Sequence, residues 1–330
     1  MKIALDAMGS DARPVPDVEG AVMAAREFGV TVILVGDESK IKTELTRHDA
    51  RGLNLPIVHA PADIGMTEHV DAVKSKKDAS MNVAMRLVRE KQADAFVTAG
   101  NTGAAMAAAI AGPFLLGRIK GVKRPALTTT LPTATGRTLL LLDIGANADV
   151  KPEYLYQFAI MGAAYAEKVM GVANPRVMLL SNGEEEGKGP IVVREAYALL
   201  KQSQLNFIGN AEGRDIPKGS ADVIVTDGFT GNVAIKLSES LARTLVGFIR
   251  AEIKKRPLAV AGAALAKPAF DALKSRLDPA EYGGGILLGV DGVVIIGHGS
   301  SNATAIKNAI RVAKEAVEGN VVQVIRAGLA

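Results

Sequence analysis

Six short stretches of this 330-residue chain carry the residue types that hold an anion against a backbone. They are Asp6-Ala7-Met8-Gly9-Ser10-Asp11, Thr98-Ala99-Gly100-Asn101-Thr102-Gly103, Asp143-Ile144-Gly145-Ala146-Asn147, Ser181-Asn182-Gly183-Glu184-Glu185-Glu186-Gly187-Lys188-Gly189, Thr226-Asp227-Gly228-Phe229-Thr230-Gly231-Asn232 and Gly297-His298-Gly299-Ser300-Ser301-Asn302. Glycine lets the backbone approach a ligand closely, while Asn, Thr and Ser cap a following helix whose free N–H groups attract negative charge. Any one such turn is explained by strand-to-helix geometry alone. Four of the six, however, pair Gly with Asn beside a helical stretch, and that repetition points to a shared ligand. The candidate contacts are Asp6, Gly9, Gly100, Asn101, Thr102, Gly103, Asp143, Asn147, Asp227, Thr230, Gly231, Gly299 and Ser300.

Two side chains among the glycines have chemistry of their own. Lys188, in Glu-Gly-Lys-Gly, offers a compact cation that can hold phosphate or, if desolvated, exchange a proton. An exposed loop lysine would read the same way. His298, in Gly-His-Gly-Ser-Ser-Asn, can donate to a thioester oxygen or to phosphate, and equally can serve as a structural hydrogen-bond partner.

The familiar signatures are missing. No Walker A lysine loop, G-x-G-x-x-G fingerprint, G-x-S-x-G elbow or H-E-x-x-H pair occurs, which argues against a nucleotide kinase, a Rossmann dehydrogenase, a serine hydrolase and a zincin. The chain has no cysteine, so disulfides, thiolate metal sites and cysteine nucleophiles are excluded. A formal charge of +4 suits phosphate or an acidic partner and falls short of a nucleic-acid argument. What remains is chemistry that needs little covalent help from the protein, such as transfer to a nucleophile that arrives already anionic, and no paired-aspartate metal motif is evident.

The elements that must position these turns alternate in type. Strand-like runs cover Lys2 to Asp6, Thr31 to Gly36, Asp94 to Ala99, Thr138 to Asp143, Arg176 to Leu180, Asn206 to Gly209, Asp222 to Asp227 and Val293 to Gly297. Helical stretches lie between them: Val18 to Phe28, Met81 to Lys91, Tyr154 to Met170, Ile191 to Gln202, Val233 to Ile253 and Ala303 to Val317. With 48% hydrophobic residues and no linker, this reads as a single α/β domain over 1–330. Its expected form is three-layered and doubly wound, a mostly parallel sheet with ligands gathered at the carboxyl ends of the strands along one edge. One segment departs: residues 254–281 form short helical pieces broken by Pro257, Pro268 and Pro279, predicting a projecting helical hairpin. The chain enters a strand at once and has no apolar run near the roughly 20 residues of a membrane span, so the reading is cytoplasmic, with membrane contact peripheral.

Together, Asp6-Ala7-Met8-Gly9, Ala99-Gly100-Asn101-Thr102-Gly103-Ala104, Asp143-Ile144-Gly145-Ala146-Asn147, Asn206-Phe207-Ile208-Gly209-Asn210, Asp227-Gly228-Phe229-Thr230-Gly231-Asn232 and His298-Gly299-Ser300-Ser301 make the chain resemble the PlsX-type acyl-ACP:phosphate acyltransferases over its whole length. It departs at Ser10, where a second glycine is expected, and at Thr98 and Ala79, where serine is usual. The resemblance implies a fold similar to the phosphotransacetylases and the isocitrate/isopropylmalate dehydrogenase group, in a homodimer without a nucleotide cofactor. It also implies reversible transfer of a long-chain acyl group from acyl carrier protein (ACP) to inorganic phosphate, the acyl phosphate then passing to a membrane glycerol-phosphate acyltransferase for phospholipid synthesis.

On that basis phosphate attacks the thioester directly, held by helix N-termini and Lys188, while Asn232 and His298 stabilise the oxyanion. In the hairpin, Phe270, Leu273 and Leu277 fall on one helical face beside Lys267, Lys274 and Arg276, and Leu258 and Leu265 extend the apolar surface, the pattern of a helix lying on an anionic membrane at the inner face of the plasma membrane. The same pattern fits a dimer contact or a helix packed on the body. Arg118, Lys120, Lys123 and Arg124 form a basic loop suited to docking acidic ACP. The competing readings are a short-chain phosphotransacetylase or phosphotransbutyrylase using acyl-CoA, and a non-catalytic anion- or acyl-binding scaffold.

Overall fold

The structure, a computed structural model, describes residues 1–329. Eleven strands are formed among them: β1 (Lys2–Asp6), β2 (Thr31–Gly36), β3 (Ile57–His59), β4 (Ala95–Thr98), β5 (Ala126–Pro132), β6 (Thr138–Leu142), β7 (Val177–Leu180), β8 (Phe207–Ala211), β9 (Val223–Val225), β10 (Gly285–Leu288) and β11 (Val293–Ile296). The helices are α1 (Val15–Phe28), α2 (Glu38–Leu45), α3 (Ala72–Ser75), α4 (Ser80–Arg89), α5 (Thr102–Ala111), α6 (Pro152–Lys168), α7 (Ile191–Lys201), α8 (Asp215–Lys218), α9 (Gly228–Lys254), α10 (Pro257–Leu265), α11 (Lys267–Leu277), α12 (Pro279–Tyr282), α13 (Ala303–Glu318) and α14 (Val321–Gly328).

All eleven strands join one sheet in the order β3-β2-β1-β4-β11-β10-β5-β6-β9-β7-β8. The inner strands are apolar along nearly their whole length, as β6 shows with four consecutive buried leucines, because helices cover both faces. One face buries its apolar residues against α1, α6, α7 and α13, with Phe158, Leu5, Leu34 and Ile310 in a single core. The other face carries two smaller cores, one under α4 and α5 around Phe96, Met81 and Met85, and one around Leu139, Leu141 and Ile224. Ile144 packs against both of these smaller cores.

The expectation that the six turns share one sheet edge is overturned. β1, β2, β3, β4 and β11 run parallel to one another, and so do β6, β9, β7 and β8. Between the two groups lie three antiparallel pairings, β11 with β10, β10 with β5, and β5 with β6. An odd number of reversals leaves the two groups antiparallel, so their carboxyl ends point in opposite directions.

Residues 254–281 hold α10, α11 and α12. No residue of α10, α11 or α12 is buried, and Leu258 and Leu265 are 89% and 87% exposed. Phe270, Leu273 and Leu277 are also exposed. Helix α9, which leads into this segment, buries only Gly228 and Gly231 of its 27 residues. Along it Phe229, Val233, Leu237, Leu241, Leu245 and Phe248 stand exposed at spacings of four and three, one continuous apolar stripe.

Candidate functional site

The turns after β1, β4 and β11 form one half-site. Gly9 is forced by close approach: a Cβ there would lie 2.9 Å from both Gly100 N and Thr98 Oγ1. The Asp11 N–H donates to Gly299 O (2.8 Å) and the Gly297 N–H to Thr98 O (2.7 Å), so the three turns are stitched together by their backbones. Asp6 is buried beneath them, accepting from Thr98 Oγ1 (2.8 Å) and the Met8 N–H (3.2 Å). Burial pushes its carboxyl up, and those hydrogen bonds oppose the rise. Asp6 therefore shapes the half-site from below and is out of reach of a substrate. Threonine at 98 does the work of a serine, since its hydroxyl also accepts from the Gly100 N–H (2.9 Å).

Ser10 has a partner of its own. Its hydroxyl donates to Asp17 Oδ2 at 2.5 Å, both residues being fully buried. Asp17 Oδ1 has no partner, and desolvation pushes the carboxyl up to about 8. No such device is read from the sequence, where Asp17 looks like an ordinary first-turn acid of α1.

Asn101 caps α5: its Oδ1 accepts from the Ala104 N–H (3.0 Å), while its Nδ2 donates to Met66 O (2.9 Å) and Glu68 O (3.2 Å). The first-turn N–H groups of Thr102 and Gly103 lack intrahelical acceptors and face out of the helix end. Asn101 thus fastens a strap that crosses this half-site, residues 61–76, which sequence reasoning missed because it carries no glycine cluster or periodic pattern. The strap is stiffened by Lys76 Nζ donating to Asp63 O (3.0 Å) and Glu68 Oε1 (2.7 Å), and by the Arg13–Asp63 ion pair at 2.5 Å. Its Met66 seats on Gly299 and its Val70 on Gly103, where added Cβ atoms would lie 2.5 and 3.2 Å from the two side chains. His298 is exposed at the rim; its Nδ1 accepts from the Ser300 N–H (3.3 Å) and pairs with Ser300 Oγ (2.9 Å), which leaves Nε2 for a ligand.

The turns after β6, β9 and β7 form the second half-site. Asp143, fully buried, accepts five N–H donors: Leu127 N (3.1 Å), Gly145 N (3.1 Å) and Ala146 N (2.9 Å) at Oδ1, and Asn147 N and Nδ2 (both 2.8 Å) at Oδ2. Burial pushes this carboxyl up, and the hydrogen bonds from Ala146, the Asn147 side chain, Gly145 and Leu127 oppose the rise. Asp143 and Asn147, which also donates to Pro125 O (2.8 Å), are thus the frame of the loop. Helix α9 begins against that frame: the Gly228 N–H donates to Asn147 O (2.7 Å), and a Cβ on Gly231 would come within 1.9 Å of Asp143 O, so only glycine fits. Asp227 caps α9, accepting from the Thr230 N–H and hydroxyl (both 2.8 Å), which ties these two residues to each other. Asn232, half-buried one position past Gly231, holds its amide nitrogen 4.0 Å from the Cβ position of Gly145.

Lys188 sits on the neighbouring turn, exposed, with its stem against Gly183. Asn210 braces this turn by donating to Glu185 O (2.9 Å), a supporting role the sequence offers only as part of a motif.

The structure brings Lys188 and Asn232 onto adjacent turns, since β9 pairs with β7, and sets His298 on the other half. Register relates the two halves. Val97, Ile295, Ile286, Thr128 and Leu142 stand level across the sheet, so Thr98 and Asp143 leave it only two residues apart in height, about 7 Å. Laterally they are separated by four strand spacings, about 19 Å. The candidate site is thus two half-sites set apart by the antiparallel strands β10 and β5.

Among the described residues no group of His, Asp and Glu is arranged to hold a metal ion, and no helix is long and apolar enough to cross a membrane.

The sequence profile of a family described as "Fatty acid synthesis protein" matches residues 1–324. The phosphate acyltransferase of Pelotomaculum thermopropionicum is 53% identical over 330 residues, covering 100% of this chain and 95% of that protein. That of Dictyoglomus turgidum is 50% identical over 331 residues, covering 100% and 98%. Among solved structures, a branched-chain phosphotransacylase from Enterococcus faecalis superimposes with a TM-score of 0.60 at 16% identity, covering 96% of this chain and 99% of that one. EutD phosphotransacetylase from Staphylococcus aureus gives a TM-score of 0.58 at 16% identity, covering 96% and 94%. At these identities the structural likeness establishes the α/β fold.

Proposed function

The chain belongs to the fatty acid synthesis protein family, whose relatives are phosphate acyltransferases, and on that premise we propose how this chain transfers an acyl group to phosphate. The donor is a long-chain acyl-ACP and the product an acyl phosphate for phospholipid synthesis. The observation that carries this reading is identity of 50% or more over the full length to phosphate acyltransferases. The geometry of the second half-site supports it, since Lys188 and Asn232 come onto adjacent turns beside the first turn of α9.

Phosphate binds in the second half-site, where Lys188 and the first turn of α9 supply positive charge. A phosphate oxygen attacks the thioester carbonyl, the carbon–sulfur bond breaks, and the thiolate leaves on ACP. Asn232, whose amide nitrogen has no protein partner among the described residues, stabilises the oxyanion. Since phosphate is already anionic and the chain has no cysteine, no acyl-enzyme is needed. The rim position of His298 suits contact with the donor. Removing one well-placed oxyanion donor costs about 3 kcal/mol in the barrier. Asn232→Ala and Lys188→Ala each lower turnover at least about a hundredfold with the fold intact; near-normal rates in either remove that residue from the mechanism.

The apolar stripe of α9, about 29 Å from Phe229 to Phe248 at 1.5 Å per residue, supports a homodimer in which a second copy covers it. The exposed Leu258 and Leu265 with Phe270, Leu273 and Leu277 support peripheral contact with an anionic membrane on the cytoplasmic side, where the product would pass to a glycerol-phosphate acyltransferase. Arg118, Lys120, Lys123 and Arg124 offer ACP a basic docking loop. The test is donor choice: phosphate-dependent thiol release from long-chain acyl-ACP, beside acetyl-CoA. Activity with acetyl-CoA alone would make the protein a short-chain phosphotransacetylase.

A further inference from the structure

Helix α5 is composed almost wholly of alanine, glycine, methionine and isoleucine, and its two long sides differ. Ala104, Ala105, Ala108 and Ala109 are buried against the sheet. Gly103, Met106, Ala107 and Ile110 lie at i, i+3, i+4 and i+7, on a second face that is left half-open. At the head of that face Val70 of the strap rests on Gly103, and Met66 rests on Gly299 beside His298. Both strap side chains are 39% exposed. At the far side, Ile144 and Ala146 pack against the same core as Met106 and Ile110, and they belong to the loop framed by Asp143. A half-open apolar track therefore runs from the turns of the first half-site, along about 10 Å of α5, toward the loop that positions α9.

We propose that this face of α5, roofed at one end by Met66 and Val70, is the groove that takes the donor's acyl chain. The proposal rests on the acyl-transfer reading above and deepens it by naming the subsite. The occupant follows from continuity and chemistry. The track ends at the loop that positions α9 and Asn232, where the thioester reacts, and is apolar from there back to the head of α5, with no charged side chain among Gly103, Met106, Ala107 and Ile110. An amphiphile with a polar reacting end and a methylene tail matches that sequence of surfaces. The strap's ion pairs and the Asn101 clamp make the roof preformed, so the tail is met by fixed walls. Each buried methylene is worth about a factor of four in affinity, so the groove discriminates strongly by chain length.

Ala107→Phe places a ring in the middle of the track. Its effect is read in two ways. In phosphate-dependent thiol release, kcat/KM for hexadecanoyl-ACP falls at least about tenfold while that for butyryl-ACP stays within about twofold. In equilibrium binding of a fluorescent fatty acid, the wild type binds and Ala107→Phe loses that binding. Equal changes for both donors, or unchanged probe binding, overturn the proposal and leave the face to a second copy of the chain. Should Ala107→Phe lose its cooperative thermal transition, Ile110→Ala replaces it; widening the track then shifts preference toward longer or branched chains, and an unshifted preference overturns the proposal. Probe binding that is lost in the variant, in a wild type with no phosphate-dependent release from any donor, would keep the groove and sink the acyl-transfer reading.

Discussion

Replacing Asp143 by Asn tests the frame of the second half-site while changing neither the volume nor the shape of the side chain. The carboxylate receives three N–H groups at Oδ1 and two at Oδ2. An amide has one acceptor oxygen, so its best orientation keeps the three donors from Leu127, Gly145 and Ala146 and turns NH2 toward the two from Asn147. Two donors lose their partner and meet another donor instead. At about 1–3 kcal/mol for each polar group left unsatisfied in the interior, the loss is about 4 kcal/mol. The damage extends to α9, because the Asn147 carbonyl that receives the Gly228 N–H belongs to the same loop. We expect the urea midpoint followed by circular dichroism to fall by that equivalent, with turnover at least a hundredfold lower under conditions where the variant is folded. A variant within about 1 kcal/mol of wild type and near-normal in rate would refute the idea that Asp143 acts as a frame.

Asp17 has its folded pKa raised to about 8, so the folded state holds a proton that the unfolded state releases near 3.8, and stability falls as pH rises between those values by at most about 1.4 kcal/mol per unit; Asp17→Asn should flatten the decline in Tm between pH 6 and 8.5, and an unchanged slope would remove Asp17 as its source. Gly231→Ala, which sets a methyl group 1.9 Å from Asp143 O, should displace the first turn of α9 and abolish turnover, and a fully active variant would contradict that packing. Leu258→Glu with Leu265→Glu should leave Tm unchanged, since both side chains are almost wholly exposed, and should abolish binding to anionic liposomes. Retained liposome binding would end the membrane reading of the hairpin.

How much of this was legible in the sequence depends on the kind of pattern each element leaves. The eight strand-like runs, from Lys2 to Asp6 through Val293 to Gly297, all correspond to strands, because β-branched and leucine runs bounded by turn residues are distinctive. Besides the three-residue β3, β5 and β10 leave no such mark: Ala126–Pro132 has three consecutive threonines at its centre and ends in proline, and Gly285–Leu288 is four residues long behind two glycines. Those two strands supply the reversals in the sheet, so missing them made the six turns seem to share an edge. The turns themselves were legible as glycine and cap residues, but not the division of labour within them. Asp6, Asp143 and Asp227 look alike in sequence, and only burial and hydrogen bonding separate the buried supports from the cap of α9. Ser10 stood out as a departure; that Asp17 takes up its hydroxyl required knowing that α1 lies against the first turn.

The central claim is that phosphate attacks the donor directly. The most direct measurement mixes purified protein with long-chain acyl-ACP, with and without phosphate, and follows free thiol while the protein is weighed by mass spectrometry. The account predicts no thiol release and no mass increase without phosphate, and with phosphate one acyl phosphate for each thiol freed. A burst of one thiol per active site without phosphate, with an acyl mass added to the chain, would contradict it.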